Sequence, residues 1–127
     1  MSQDVGALDI TFKAGEALTA KKYYFVKLDA NGDVVACGLN GVSIGILQNI
    51  PAIGKAARVR VLGTSKLVMG EACDEGEALT STVTGVGEVV DLADEYAGAI
   101  ALEAASAIDE IIEVLITHMY SPVSHAT

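Results

Sequence analysis

The sequence predicts a small, mainly β domain in which two related halves follow each other, with at most one or two short helices. Three observations support this. The chain has 127 residues, which suits a single hydrophobic core. Its apolar stretches are short and are separated by turns rich in Gly. A pattern of short segments occurs twice along the chain, as expected for a duplicated structural unit.

The repeat begins with an identical pentapeptide, Gly-Glu-Ala-Leu-Thr, which occurs at residues 15–19 and again at residues 76–80. Three further segments follow in the same order in both parts of the chain. The paired segments are 31–32 with 84–85, 45–46 with 98–99, and 58–62 with 111–115. We therefore expect a single β domain at residues 15–117, with a first half at about 15–66 and a second half at about 67–117.

Residues 1–14 precede this domain and residues 118–127 form a predicted C-terminal tail. Apolar residues alternate in the first segment, at Val5, Ala7, Leu8, Ile10 and Phe12. Two interpretations remain open for it. It is either an N-terminal arm that adds a strand to a neighbouring protein or the first strand of the domain itself.

The clearest local prediction is a β-hairpin at Asn31-Gly32, because a type I′ turn needs positive φ at both central residues. A two-residue loop would place Leu28 opposite Val35 and Val26 opposite Cys37. Residues 57–62 alternate between Val and Arg, which predicts a half-buried strand with Arg58 and Arg60 on its outer side.

The second half is more ambiguous because residues 92–119 are rich in Ala, Leu, Glu and Ile, which also form helices. The repeat maps this stretch onto predicted strands. We expect strands near 97–103 and 110–117, with a short helix or turn near 92–96.

The formal net charge of −9 argues against binding of nucleic acid, which requires clustered cations. All eight Lys and Arg residues lie within residues 1–66, with five acidic residues, for a net charge of +3. Residues 67–127 carry twelve acidic residues and no Lys or Arg, for a net charge of −12. This asymmetry indicates either a solvated acidic surface or a two-sided molecule with one face suited to an acidic partner.

Compartment and redox state follow from the termini and the cysteines. The chain begins Met1-Ser2-Gln3-Asp4, without the basic and apolar regions of a secretion signal, and it has no apolar run long enough for a membrane span. Folding in the cytoplasm and no membrane partner are expected. Cys37 and Cys73 are too few for a disulfide framework and are predicted to be reduced and buried.

No catalytic residue, metal ligand or cofactor is predicted. Residues 49–56 lack the first Gly of a nucleotide-binding P-loop, and Gly85-Val86-Gly87 lacks the third Gly of a dinucleotide fingerprint. His118 and His125 lie in the predicted tail, which is a poor platform for catalysis. The acidic residues Glu71, Asp74, Glu75 and Glu77 lack the spacing of a calcium loop.

The order of these segments resembles that of bacteriophage capsid decoration (head cement) proteins of HK97-type capsids. In this order a Gly-Glu-Ala-Leu entry is followed by a strand, a Gly turn, an apolar strand with a central Gly and an alternating Val-x-Val strand. The likeness covers about residues 12–117 and is best at residues 74–79, 97–104 and 112–116. The chain departs from the family pattern after residue 117, where it runs past the last expected strand.

The resemblance implies a small β-barrel or β-tulip-like fold and a structural, non-enzymatic protein on the exterior of a virion. It implies binding to the major capsid protein of an expanded shell, as a homotrimer at three-fold and quasi-three-fold positions. A tail or tail-completion protein, or a small trimeric enzyme, are the alternatives. The candidate capsid-binding residues are Val5, Leu8, Ile10, Phe12, Lys13, Lys21, Lys22, Arg58 and Arg60.

Overall fold

The computed structural model describes residues 7–90 and 95–120, which form ten β strands and no helix. The predicted mainly β class is confirmed. The strands are β1 (Leu8–Lys13), β2 (Phe25–Leu28), β3 (Val34–Ala36), β4 (Gly45–Leu47), β5 (Ala56–Leu62), β6 (Thr64–Val68), β7 (Ala78–Ser81), β8 (Gly87–Val89), β9 (Tyr96–Ala101) and β10 (Ile111–Tyr120).

The strands form two antiparallel sheets of five with the same internal order. The first sheet has the order β1-β5-β4-β2-β3 and the second has the order β6-β10-β9-β7-β8. The chain passes from one sheet to the other at Gly63, between β5 and β6. Each sheet keeps two edge strands within the described residues, so closure into a β-barrel is a wrong expectation.

The structural repeat differs from the sequence repeat at its first segment. In each half, a glycine after the first strand donates its backbone N–H to the third strand. Gly15 donates to Val34 O and Gly70 donates to Gly87 O, both at 2.7 Å. Gly15 therefore corresponds to Gly70, whereas residues 76–80 overlap β7, the counterpart of β2. The identical pentapeptides do not occupy equivalent positions.

The later segments correspond more closely. The turn match is confirmed, because Gly32 and Gly85 both have positive φ, at 80° and 100°. The strand registers place the other two matches one and two residues away from the sequence alignment. Val26 opposes Gly45 where Leu79 opposes Ala99. Leu47 opposes Val59 where Ala101 opposes Val114. Gly45 thus corresponds to Ala99, and Val59 corresponds to Val114.

The first hairpin forms at the predicted place but in a different register. Val26 opposes Ala36 and Leu28 opposes Val34, one residue away from the predicted pairing. The loop is longer than two residues, because Asp29 N donates to Asp33 O and Gly32 N donates to Asp29 O. The Asp29 carboxylate also accepts hydrogen bonds from the backbone N–H groups of Asn31 and Asp33. These bonds favour a three-residue loop in which only Gly32 needs positive φ.

Both faces of β2 are buried at its start, at Phe25 and Val26. Val26 faces the first-half core, which consists of Ala14, Leu18, Val26, Val34, Leu47, Ala57 and Val59. Phe25, which the predicted register placed on the outer face, is fully buried in a shared core with residues of both sheets. The shared core consists of Phe25, Cys37, Ile46, Leu67, Met69, Cys73, Leu79, Ala99, Ala101, Ala105, Ile112, Val114 and Ile116.

A close approach between the sheets in this core lies at Gly98 of β9. A Cβ atom at Gly98 would lie 2.7 Å from Cε1 of Phe25 and 2.5 Å from Oγ of Ser43. Backbone bonds across the sheets fix the same arrangement. Phe25 N donates to Gly85 O at 2.8 Å, and Asn40 N donates to Ser81 O at 2.9 Å. The two halves therefore fold as one packed unit.

The buried thiols and the late strands agree with expectation. Cys37 and Cys73 are free and buried, and burial raises the pKa of both thiols. Strands near 97–103 and 110–117 are confirmed as β9 and β10. The expected helix or turn near 92–96 falls mostly on residues 91–94, which lie outside the described residues. The structure describes residues 118–120 as part of β10, so the predicted tail boundary is wrong there.

The tight approach at Gly98 leads to a double-mutant test. Gly98→Ala is expected to lower the free energy of unfolding by about 1–3 kcal/mol, because the new methyl group meets the Phe25 ring. In a Phe25→Leu background the same substitution is expected to cost less, by about 0.5 kcal/mol or more. Urea unfolding of the four proteins measures both values.

Gly38→Ala is the matched control, since a Cβ at Gly38 meets nothing within 4 Å. Its unfolding free energy is expected to stay close to that of the wild type. Strictly additive effects of Gly98→Ala and Phe25→Leu would show that the two residues do not constrain each other.

Candidate binding surface

A polar cleft of about 210 Å³ lies where the two sheets meet. The strand period of two turns Arg58 and Arg60 away from the buried residues Ala57 and Val59 and toward this cleft. The turn at Gly63 then brings the start of β6 alongside. The lining residues are Lys22, Tyr23, Gln48, Arg58, Arg60, Ser65 and Lys66.

The cleft concentrates the positive charge of the molecule. Four of its lining residues are Lys or Arg, half of the eight in the whole chain. This concentration matters because the chain as a whole carries a net charge of −9. An anionic group that approaches the cleft therefore meets a favourable local field.

One carboxylate, that of Asp9 on β1, balances part of this charge. The Arg60 guanidinium donates to both Asp9 oxygens, at 2.7 and 3.2 Å. The hydrogen bond and charge of Arg60, with the charge of Arg58, hold the Asp9 pKa below its usual value of 3.8, against the opposing effect of burial. The Arg60 side chain is only 12% exposed, whereas that of Arg58 is 54% exposed and lies 3.5 Å from Asp9. Arg60 is thus a fixed wall of the cleft, and Arg58 is accessible.

The floor of the cleft is held by Gln48 and Ser65, which are both buried. The Gln48 side-chain amide donates to Ile46 O at 3.1 Å and to Ser65 Oγ at 2.8 Å. Since Gln48 follows β4 and Ser65 belongs to β6, this bond joins the two halves beneath the basic residues. The cleft is therefore built into the contact between the sheets.

Tyr23 forms the side of the cleft next to Lys22. It has a φ of 68°, an uncommon conformation for a residue other than Gly. Its backbone explains this geometry, because Tyr23 N donates to Leu47 O at 2.8 Å and Tyr23 O accepts from Val68 N at 2.9 Å. Tyr23 thus bridges the sheets. The Lys22 Nζ lies 5.0 Å from the centre of the Tyr23 ring, which keeps this ammonium group close to the cleft.

The structure brings together three of the nine candidate residues, Lys22, Arg58 and Arg60. Ile10 and Phe12 oppose Val59 and Ala57, so the strand period places them on the other face of the sheet. The remaining candidates lie elsewhere. Leu8 and Lys13 are at the two ends of β1, Lys21 lies 5.2 Å from the Tyr24 ring, and Val5 is outside the described residues.

Sequence reasoning missed Tyr23, Gln48, Ser65 and Lys66. Gln48 and Ser65 are polar residues beside apolar ones, and only the pairing between the sheets makes them neighbours. Lys66 alternates with the buried Ser65 and Leu67, which indicates an outward position once β6 is known.

The acidic segment 71–77 has a structural role in part. Glu71 accepts a hydrogen bond from Val89 N at 2.8 Å, and Glu77 accepts one from Asp74 N at 2.8 Å. Within residues 7–90 and 95–120, no group of three or more His, Cys, Asp or Glu is arranged to hold a metal ion. The same part of the chain contains no helix with the length and hydropathy needed to cross a bilayer.

His118 is not in a tail but on β10. Its imidazole contacts Val61 O at 2.6 Å through Nε2 and the Tyr96 hydroxyl at 3.3 Å through Nδ1. It therefore connects the ends of β5, β9 and β10. His125 lies outside the described residues.

Comparison with solved structures identifies a protein with a similar fold. The fold is similar to the crystal structure of the head fiber gp8.5 N base in bacteriophage phi29, with a TM-score of 0.68. The match covers 91% of this chain and 98% of that chain, at 14% sequence identity. The two chains share a fold. No family model matches the sequence, and no curated protein is significantly similar to it.

The Asp9–Arg60 pair predicts how stability depends on pH. Because folding lowers the Asp9 pKa, the pair stabilises the fold above pH 3.8, and this contribution is lost as pH falls through the lower folded-state value. Asp9→Asn is expected to lower the unfolding free energy at pH 7 by about 1–2 kcal/mol. Urea unfolding from pH 7 to pH 2.5 is expected to show the difference from wild type shrinking toward acid.

Glu75→Gln, at an exposed acidic position, controls for the change in net charge. Its stability difference from wild type is expected to be small at every pH. A loss in Asp9→Asn that stayed constant down to pH 2.5 would mean that ionisation of Asp9 is not what stabilises the pair.

Proposed function

We propose that this chain is a structural, non-enzymatic protein of a phage virion, which binds the outer surface of an expanded capsid and stabilises it. The observation that carries the proposal is the fold shared with the base of a phage head fiber over 91% of the chain. The sequence resemblance to capsid decoration proteins points to the same class of function.

A physical mechanism for stabilisation follows from mass action. A protein that binds only the expanded lattice stabilises that lattice by RT ln(1 + [L]/Kd) for each site. We propose a homotrimer, since three linked copies place three binding surfaces on one capsomer junction and so raise avidity. Leu8, Leu62 and Leu115 have exposed aliphatic side chains. Contact between the copies of a trimer would bury such apolar surface, which supports this proposal.

The positive charge of the cleft suggests that the surface it binds on the capsid is acidic. Lys22 and Arg58 are exposed there, and their charges favour an anionic partner. Arg60 contributes less directly, because its guanidinium is committed to Asp9. We propose Lys22 and Arg58 as the main cationic contacts to the major capsid protein.

The test is binding of the purified chain to expanded and unexpanded shells of the phage that encodes it, measured by co-sedimentation. The wild type is expected to bind expanded shells selectively, and light scattering of the free protein is expected to give the mass of three chains. Lys22→Glu with Arg58→Glu is expected to weaken binding about tenfold or more at about 0.15 M salt, because two attractive contacts become repulsive.

Lys27→Glu with Lys55→Glu makes the same change in net charge away from the cleft and is the matched control. Its affinity is expected to stay within about threefold of wild type when long-range charge effects are screened. Failure of the wild type to bind either shell would reject the proposal. Selective binding to isolated tails would instead assign the chain to the tail.

A further inference from the structure

We infer that the cleft at the junction of the two sheets is an oxyanion-binding site, which accepts one carboxylate or phosphate group. This inference goes beyond the proposed function, because a small anion can bind the isolated protein whether or not the chain binds a capsid. It rests on the charge, rigidity and size of the cleft.

The charges lining the cleft are not balanced. Lys22, Arg58, Arg60 and Lys66 contribute four positive charges, and the adjacent Asp9 contributes one negative charge. The four lining cations and Asp9 sum to three formal positive charges, and Glu113, which lies opposite Lys66 on β10, brings the formal excess to two. Placing like charges together raises the free energy of the folded protein, and a bound oxyanion relieves this repulsion.

Three polar groups of the cleft, those of Arg60, Gln48 and Ser65, are held in place before any ligand arrives. Arg60 is fixed by two hydrogen bonds to Asp9, at 2.7 and 3.2 Å. Gln48 and Ser65, exposed by only 7% and 2%, bond to each other beneath it. A site whose walls are already ordered loses little conformational entropy on binding, so its contacts appear more fully as affinity.

The size of the cleft limits the class of ligand. Its volume of about 210 Å³ is smaller than the roughly 300–1,000 Å³ of pockets for drug-sized ligands. Since each water takes about 30 Å³, the space suits one oxyanion with a few waters. Arg58 and Lys66 are exposed at its mouth, so the same space can take a free phosphate ion or the end of an Asp or Glu side chain.

Backbone amide NMR of the full chain tests the inference with two probes, inorganic phosphate and glutarate, each titrated at constant ionic strength against chloride. Saturable shifts are expected for the amides of Gln48, Arg58, Ser65 and Lys66. Saturation by glutarate would assign a carboxylate ligand, and saturation by phosphate alone would assign a phosphate group. Shifts that are absent, or that rise linearly with both probes, would overturn the site.

The variant Arg58→Gln with Lys66→Gln is expected to bind the better probe about tenfold or more weakly, because two charge-assisted contacts are lost. Lys27→Gln with Lys55→Gln has the same net charge and is expected to bind like wild type. Equal weakening of both variants would show a diffuse charge effect and reject a defined site. Should the double variant lose its dispersed spectrum, Lys66→Gln alone at the exposed mouth gives the same comparison.

This result is separable from that for capsid binding. Saturable phosphate or glutarate binding with no affinity for shells would reject the proposed function and leave the oxyanion site standing. Binding to shells without saturable binding of either anion would reject the oxyanion site and leave the proposed function standing.

Discussion

The contact between the Phe25 ring and the backbone at Gly98 is the constraint on which the two-sheet arrangement depends. Phe25 is fully buried and projects from β2 toward β9, where any side chain at residue 98 would collide with its ring. The next residue, Val26, points the opposite way into the first-half core. A single short strand therefore ties the core of its own half to the core shared with the other half. The approach it fixes also sets Gln48 beside Ser65, and with them the floor of the basic cleft.

The two halves keep one backbone plan while their side chains have diverged in charge. Glu16 and Glu71 lie at equivalent positions, and each accepts a hydrogen bond from the third strand of its half, from Ala36 N and Val89 N. By contrast, Arg58 on β5 corresponds to Glu113 on β10 under the same register. The charge asymmetry of the sequence is thus seen at equivalent positions of the two halves. The first half has a cation at this position, beside the cleft, and the second half has an acid.

The sequence predicted features that depend on local patterns and missed those that depend on long-range pairing. The mainly β class, the strands in the second half and the buried thiols follow from hydrophobicity and from the repeat. The hairpin register was wrong because the Asp29 carboxylate, not the Asn-Gly pair alone, determines the loop. The repeat was misaligned because residues 76–80 are identical in sequence to residues 15–19, whereas the structural counterpart of Gly15 is Gly70. The cleft could not be predicted, because Lys22, Arg58 and Lys66 meet only after both sheets have formed.

The fold has an interior of aliphatic and aromatic packing and a polar cleft that gathers cations at the junction of the sheets. The proposed function is tested most directly by a cryo-electron microscopy map of the virion whose genome encodes this chain. If the proposal holds, density for the paired five-stranded sheets is expected on the outer shell, with the Arg58 side of β5 toward an acidic capsid surface. Density for this domain only in the tail, or none in the mature particle, would contradict it.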